Sequence, residues 1–308
     1  MADTNYLKDN LKGFVPTEVA TGIMDEIARG SSVLQLSDVK PMKSDTMKFQ
    51  VWADKPGAYW VGEGERINTS KASWIFPEMV AKKIAVIIPV TREKLNDTTI
   101  DVFGELKPQI AEAFYTTFDK ACLFGTNSPF EKNIFKSATD ANNIVTRDTQ
   151  SLDLDISDLM GEIEEKNLDV NGFAGHYGLK KELRSLRDSN GNQLAVMGMK
   201  ENSLYENPLT FVRNGAFDKT KAELIAADWS KSIVGIREGI EFEILKEATL
   251  QSVTMEDGKP LSLAENDMIA IKATMRLAYL PIKDDAFAIL KPKASVVTAS
   301  KTSNKTSK

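Results

Sequence analysis

The chain has little of the side-chain chemistry that most enzymes use. Its 308 residues include one cysteine, Cys122, and one histidine, His176. A single cysteine excludes a disulfide within the chain and fits a reducing compartment. The chain has too few histidines and cysteines to supply the usual ligands of a zinc site. A catalytic site of the Ser-His-Asp or Cys-His type would have to use His176. Because His176 ends a short predicted strand and Cys122 lies on the buried face of a predicted helix, structural roles are favoured for both. A soluble hydrolase remains an alternative.

Long apolar runs and an excess of positive charge are also absent. No stretch approaches the ~20 apolar residues of a membrane span, and the start, "MADTNYLKDN", lacks the apolar core of a signal peptide. The net charge of -5 argues against a protein that binds nucleic acid by electrostatics. The segment "VGEGE" lacks the spacing of a phosphate loop, and "DLDISD" lacks the glycine and distal glutamate of a calcium loop. We expect a protein made in a cytoplasm, without enzyme activity, cofactor, metal or membrane contact.

Aromatic side chains, in contrast, are concentrated in one charged segment. Residues 53–74 read "ADKPGAYWVGEGERINTSKASW", with the glycines, proline and charges of an exposed connection. Three of the four tryptophans lie in this segment or at Trp52, directly before it. Burying one tryptophan removes roughly 150–250 Å² from water. The segment therefore either folds back onto its own core or is covered by another chain.

Strand patterns flank this segment and make it the loop of a long hairpin, about residues 53–73. The strands are residues 47–53 and 73–91, and "KKIAVIIPVT" in the second is almost continuously apolar, as in a strand covered on both faces. Loops of this length inside compact domains are usually functional or disordered. The hairpin is therefore the first candidate for a functional element.

A long helix is predicted over about residues 100–124, because apolar residues recur there at helical spacing. Thr98 with Asp101 can cap its start. Pro108 is expected in the first turns or at a kink, and Gly125 ends the helix.

The composition of the other segments, together with these elements, divides the chain into five parts. The first 30 residues are polar with scattered apolar positions, which indicates an arm that can hardly bury itself. The last residues are rich in Lys, Ser and Thr, which predicts a disordered tail. Helices alternate with short strands in the middle region, and strands return after it. The predicted parts are an arm (1–30), a domain with the loop and the long helix (31–137), an α/β domain (138–232), returning strands (233–292) and the tail (293–308).

This order of elements resembles the major capsid proteins of tailed bacteriophages, which have the Hong Kong 97-like fold. The similarity spans about residues 30–292. Two motifs depart from the family: its Pro-x-Gly-Ile is here "PFEKNIF", and its Gly-Asp-Phe is Ala227-Asp228-Trp229. The motifs that carry the resemblance are "AYWVGEGERINTSKASW", "IPVTREKLND", "AEAFYTTFDKACLFG", "LRSLRDSNGNQL", "AADWSKSIVGIREGIEFEI" and "MRLAYLPIKDDAFAIL".

The resemblance implies an α+β fold with an N-terminal arm, an extended β-hairpin loop, a long spine helix beside a peripheral sheet, and a central α/β axial domain. It also implies that the extended loop leaves its subunit and lies across a neighbour, with its aromatic residues as anchors. Packing of the tryptophans under their own hairpin is the alternative. The candidate contact residues are Tyr59, Trp60, Val61, Gly62, Glu63, Gly64, Glu65, Arg66, Lys71 and Trp74.

The implied function is to form, from many copies, an icosahedral virion shell around double-stranded DNA. The implied partners are other copies, as hexamers and pentamers, with a separate scaffold protein, a portal and weakly contacted DNA. Assembly is expected in the cytoplasm of the bacterial host. An encapsulin, which stores enzyme cargo in a shell of this fold, is the alternative, although its chain usually lacks a long arm.

One branch of this family joins its subunits by isopeptide bonds between a loop lysine and a closing-strand asparagine, with a glutamate as base. Alignment on the "RLA" motif places Thr274 at the glutamate position and Asp267 at the asparagine position. Lys55 and Lys71 are possible donors, but threonine is no base and a carboxylate is a poor acyl acceptor. Asn266 would point to the opposite strand face. A shell held by non-covalent contacts is therefore predicted.

Overall fold

The structure is a computed structural model that describes residues 24, 26–54, 56–64, 66, 69–92, 102–147, 151–187, 203–255 and 258–293. Residues 26–30 are helical, and the further helices are α1 (Ser32–Leu36), α2 (Val102–Phe124), α3 (Ile134–Asp140), α4 (Leu152–Glu164) and α5 (Leu179–Ser185). The strands are β1 (Asp38–Pro41), β2 (Thr46–Lys48), β3 (Val51–Asp54), β4 (Ser73–Ile75), β5 (Glu78–Val80), β6 (Lys82–Thr91), β7 (Ile144–Thr146), β8 (Gly172–His176), β9 (Ser203–Leu204), β10 (Asn207–Val212), β11 (Leu224–Ala227), β12 (Ser232–Leu245), β13 (Thr249–Thr254), β14 (Pro260–Ser262), β15 (Met268–Pro281) and β16 (Phe287–Lys291).

Helix α2 is the long helix that the sequence predicts. Ile110, Phe114 and Phe118 recur at helical spacing and are buried, so one stripe of α2 faces the main hydrophobic core. Pro108 lies in the second turn, inside the helix. Gly125 follows the last helical residue with φ of +67°, a left-handed conformation that glycine adopts without a steric penalty. The predicted cap at residues 98 and 101, the arm up to residue 23 and the tail from residue 294 lie outside the described residues.

A four-stranded sheet with the order β1-β12-β15-β6 lies against α2. β12 is one strand with register shifts between Ile236 and Glu241, where the sequence predicts two separate strands. At these shifts the extra residues bulge out of the ladder while the strand continues. Strand β6 was expected to be covered on both faces, and this expectation is wrong for the subunit. β6 is an edge strand, and Ile87 is 45% exposed because no element of the described chain covers that face.

A six-stranded mixed sheet with the order β7-β16-β11-β8-β10-β9 forms the centre of the α/β region. One face packs on the core that contains α2, through residues such as Ala174 and Ile225. The other face packs against α4 and α5, with Phe173 and Leu224 in a second core. Both faces of the middle strands are therefore covered within the subunit. No helix among the described residues is long and apolar enough to cross a membrane.

The N-terminal segment is anchored to α2 through a buried carboxylate. Asp119 accepts hydrogen bonds from Ser31 Oγ at 2.5 Å, Ser32 N at 3.0 Å and Asn214 Nδ2 at 3.3 Å. Burial raises the pKa of Asp119 to about 6, against the lowering effect of these hydrogen bonds. Ile27, which the sequence places in the arm, is only 1% exposed and lies in the main core. Helical residues 26–30 thus pack against the folded body.

Candidate inter-subunit surface

The extended loop is the tip of a twisted hairpin formed by β3 and β4. Trp52 and Trp74 face each other across the two strands, with ring centroids 3.3 Å apart and planes inclined by 32°. Further out, the backbone N–H of Gly57 donates to Ser70 Oγ at 2.7 Å and holds the two sides of the loop together. Gly64 has φ of +82° and open space around its Cβ position, so the loop turns at a point where only glycine is unstrained.

The aromatic residues of the loop are exposed. Trp60 has a relative exposure of 105%, which means that nothing in the described subunit covers it. Tyr59 is 58% exposed and Val61 is 37% exposed. Trp74 is 39% exposed and Trp52 is 43% exposed, because each ring covers mainly one face of the other. Trp60 therefore does not pack under its own hairpin.

The charged residues of the loop surround these aromatics. Glu63, Arg66 and Lys71 are exposed, and none of them has an ion-pair partner among the residues that the structure describes. Gly62 is exposed next to Glu63. Glu65, which the sequence also places in the contact surface, and Lys55, a possible cross-link donor, lie outside the described residues. Apolar side chains with charges beside them are the usual composition of a surface that another protein covers.

The exposed apolar surface extends beyond the loop, which the sequence analysis missed. Ile75 is 49% exposed and Phe76 is 61% exposed, directly after Trp74. Val80 on β5 and Ile87 on β6 are also exposed, on the strands that follow in the chain. A signal was present in the sequence, since "SWIF" places apolar residues at adjacent positions, and these point to opposite faces of a strand. In a two-stranded hairpin, the apolar side chains on one of these two faces therefore stay exposed.

The histidine and the cysteine do not form a catalytic site with each other. His176 is 8% exposed at the end of β8, and its ring centroid lies 6.3 Å from that of Phe217. Burial, with the charge of Lys219, lowers the pKa of His176. Cys122 is fully buried, and burial raises the pKa of its thiol well above the ordinary value, which keeps the thiol protonated and unreactive. No group of three or more metal-binding side chains occurs within the described ranges.

The positions that matter for covalent cross-linking lie on β15, the closing strand, and in the turn before it. Thr274 lies on β15 opposite Glu241 of β12, so a carboxylate is present near the position of the base. Asp267 lies in the turn directly before β15, with φ of +46°. Its carboxylate accepts from Arg92 at 2.9 Å, and Asn266 donates to the Ser262 carbonyl at 2.7 Å. An amide that could accept a lysine is therefore absent from position 267.

Comparisons with known proteins point to one family. The sequence model described as the phage capsid family matches residues 12–291. The major capsid protein of Staphylococcus phage 80alpha is 39% identical over 292 residues, which are 94% of this chain and 88% of that protein. A probable major capsid protein of Mycobacterium phage D29 is 25% identical over 91% of this chain and 90% of that protein.

Solved structures give the same result at the level of the fold. A structure from Microbacterium phage Oxtober96 matches with a TM-score of 0.76 at 31% identity, over 86% of this chain and 91% of that one. The capsid of the native GTA particle matches with a TM-score of 0.66 at 13% identity, over 85% of this chain and 90% of that one, which shows the fold alone. The resemblance and the Hong Kong 97-like fold predicted from the sequence are confirmed.

Proposed function

The chain belongs to the phage capsid family and is a shell-forming virion component, and from this premise we propose that its hexamers and pentamers build an icosahedral head around double-stranded DNA. We propose further that the extended loop is the principal contact between neighbouring subunits. A shell for enzyme cargo and a hydrolase are not favoured, because the named relatives are phage capsid proteins.

The observation that carries the proposal is the exposure of Trp60. A fully exposed tryptophan leaves roughly 200 Å² of mostly apolar surface in water. At about 25 cal/mol per Å², covering it is worth up to about 5 kcal/mol before the costs of association. The described subunit offers no cover, so a second copy of the chain is the partner that supplies it. Tyr59, Val61 and Trp74 extend the same apolar surface.

The other loop residues have supporting roles in this proposal. Gly62 and Gly64 let the backbone lie close to the neighbour, because they carry no side chain. Glu63 and Arg66, with Lys71, form the polar rim and pair with charges on the next subunit. Rim charges select the partner and the register more than they add affinity. Glu65 is assigned to the same rim.

The remaining partners follow from the family and from the charge. We propose a separate scaffold protein as one of these partners, as the resemblance to the family implies. A portal completes the head, and assembly takes place in the cytoplasm of the bacterial host. The net charge of -5 supports only weak contact with the packaged DNA, since binding to phosphates depends on lysine and arginine.

The test is the Trp60→Ala variant. Truncating an interface anchor costs on the order of 2–4 kcal/mol, so shells should be lost or strongly reduced while the subunit stays folded. Shell formation is measured by sedimentation and negative-stain microscopy after expression in bacteria, and folding by circular dichroism.

Two matched variants make this test specific. Trp60→Phe keeps an aromatic ring and should assemble better than Trp60→Ala. Val253→Ala shortens an exposed apolar residue on β13, outside the loop, and should assemble as the wild type does. Wild-type shell yield with Trp60→Ala, or loss of its folded dichroism signal, would refute the loop as the contact between subunits.

A further inference from the structure

The two helices on the outer face of the six-stranded sheet carry charges of opposite sign. Helix α4 reads "LDLDISDLMGEIE" and contains five carboxylates and no lysine or arginine. Helix α5 reads "LKKELRS" and contains three cations and one carboxylate. That carboxylate, Glu182, already pairs with Arg147 at 2.7 Å, so it does not neutralise the helix surface.

On α4 and at the residue that caps its end, an acidic stripe is formed by Leu154, Asp158, Glu162 and Glu165, which follow one another at helical spacing. Leu154 is 50% exposed, whereas the opposite side of the helix lies in a core. Within the described ranges, none of the three carboxylates of the acidic stripe pairs with a cation. The stripe therefore combines an exposed apolar residue with unpaired negative charge.

Around α5, a basic stripe is formed by Tyr177, Lys181, Arg184 and Arg213. Tyr177 is 52% exposed, and the guanidinium of Arg213 lies 5.4 Å from the centre of its ring. Lys181, Arg184 and Arg213 are exposed. The basic stripe is thus the counterpart of the acidic stripe, with one large exposed side chain beside three cations.

We propose that the acidic stripe of one subunit docks on the basic stripe of a second copy, head to tail within a capsomer. The two stripes are different surfaces, so the contact is heterologous, and heterologous contacts form rings when the rotation closes. Leu154 and Tyr177 supply apolar contact, and the opposite charges set the partner and the orientation. This contact is separate from the extended loop, although it rests on the proposed assembly into a shell.

Charge reversal tests the contact. Lys181→Glu with Arg184→Glu places acidic side chains on both stripes, and Asp158→Lys with Glu165→Lys places basic side chains on both. Each pair should reduce the yield of sedimenting shells by at least about tenfold, since like charges then face each other. The four-substitution variant restores opposite signs and should recover the yield to within about threefold of the wild type.

The controls separate this contact from general effects. Lys181→Arg with Arg184→Lys keeps the charge and should assemble normally, and circular dichroism should show that every variant is folded. Normal shell yield from either reversed pair, or no recovery in the four-substitution variant, would overturn the head-to-tail contact. A wild-type protein that forms neither capsomers nor shells would instead contradict the proposed function.

Discussion

Trp60 and Trp229 have the same side chain and lie in opposite environments. Trp60 is fully exposed at the tip of the loop, whereas Trp229 is 2% exposed in the main core. Trp229 packs against Gly172, where an added Cβ would lie 3.0 Å from the indole ring. The backbone N–H of Trp229 donates to Asn171 Oδ1 at 2.7 Å. The comparison shows that one of these tryptophans is packed inside the subunit, while the other has no cover within the described part of the chain.

The backbones of the two regions also differ, in the number of neighbouring strands with which they pair. The sheet beside Trp229 is paired on both sides of its middle strands, so each of these strands is fixed by two neighbours. The loop strands β3 and β4 pair only with each other. A two-stranded hairpin is marginally stable in water on its own. We therefore expect the loop to gain order from contact with another chain, and the following predictions probe this difference from the largest effect to the smallest.

The largest effect is expected from Trp229→Ala. Removing a buried tryptophan costs about 3–5 kcal/mol of the free energy of unfolding, because it leaves a cavity beside Gly172. Urea unfolding of the purified subunit, followed by circular dichroism, should show a much lower midpoint than for the wild type. Trp229→Phe should lose less, and a wild-type midpoint for Trp229→Ala would show that this core does not depend on the indole.

A smaller, pH-dependent effect is expected at Asp119. The pKa of Asp119 is about 6 in the folded state, against an ordinary value of 3.8. The folded state therefore binds the proton more tightly than the unfolded state does. Stability from this group is therefore full below pH 3.8 and declines as the pH rises to about 6. The difference in unfolding free energy between the wild type and Asp119→Asn should change by about 2–3 kcal/mol from pH 4 to pH 7.

The measurement is urea unfolding of both proteins at several pH values. The wild type should lose stability relative to Asp119→Asn as the pH rises, and Asp158→Asn, at an exposed position, serves as the control with no such trend. A constant difference across this range would mean that Asp119 has the same pKa in the folded and unfolded states.

The smallest effect concerns covalent chemistry, where no change is expected. Thr274 and Asp267 replace the base and the acyl acceptor of the cross-linking branch, so the loop should hold its neighbour without covalent bonds. Shells boiled in detergent should give one band at 34.1 kDa, or slightly below if the N-terminus is cleaved. A Lys71→Arg variant should give the same band, and a ladder of oligomers in the wild type would contradict the prediction.

Much of the fold could be predicted from the sequence, because the main elements have strong local patterns. The helical period around Phe114 and Phe118 gave the spine helix, and the strands on either side of the loop gave the hairpin. The burial of Cys122 followed from the same helical period. The residues around Trp60 left open whether its own core or another chain covers it, and the resemblance favoured the second.

Other features could not be predicted, because they depend on residues far apart in the chain. Asp119 looks like any helical aspartate in "AFYTTFDKACLFG", and its partners at residues 31–33 lie more than 80 positions away. The open face of β6 depends on which strand occupies the edge of the sheet. The relation between the acidic and basic stripes depends on the packing of α4 and α5 against the same face of the sheet.

The order of strands in the six-stranded sheet has a consequence for synthesis of the chain. Strand β16, near the C-terminal end, lies between β7 and β11 and pairs with both. During translation, residues 144–146 and 224–227 leave the ribosome well before residues 287–291, the strand that lies between them. This sheet can therefore close only after residue 291 has been made, and such long-range pairing is slow to form. A chain truncated before residue 287 lacks β16, so β7 loses its neighbour in the sheet and β11 keeps only β8.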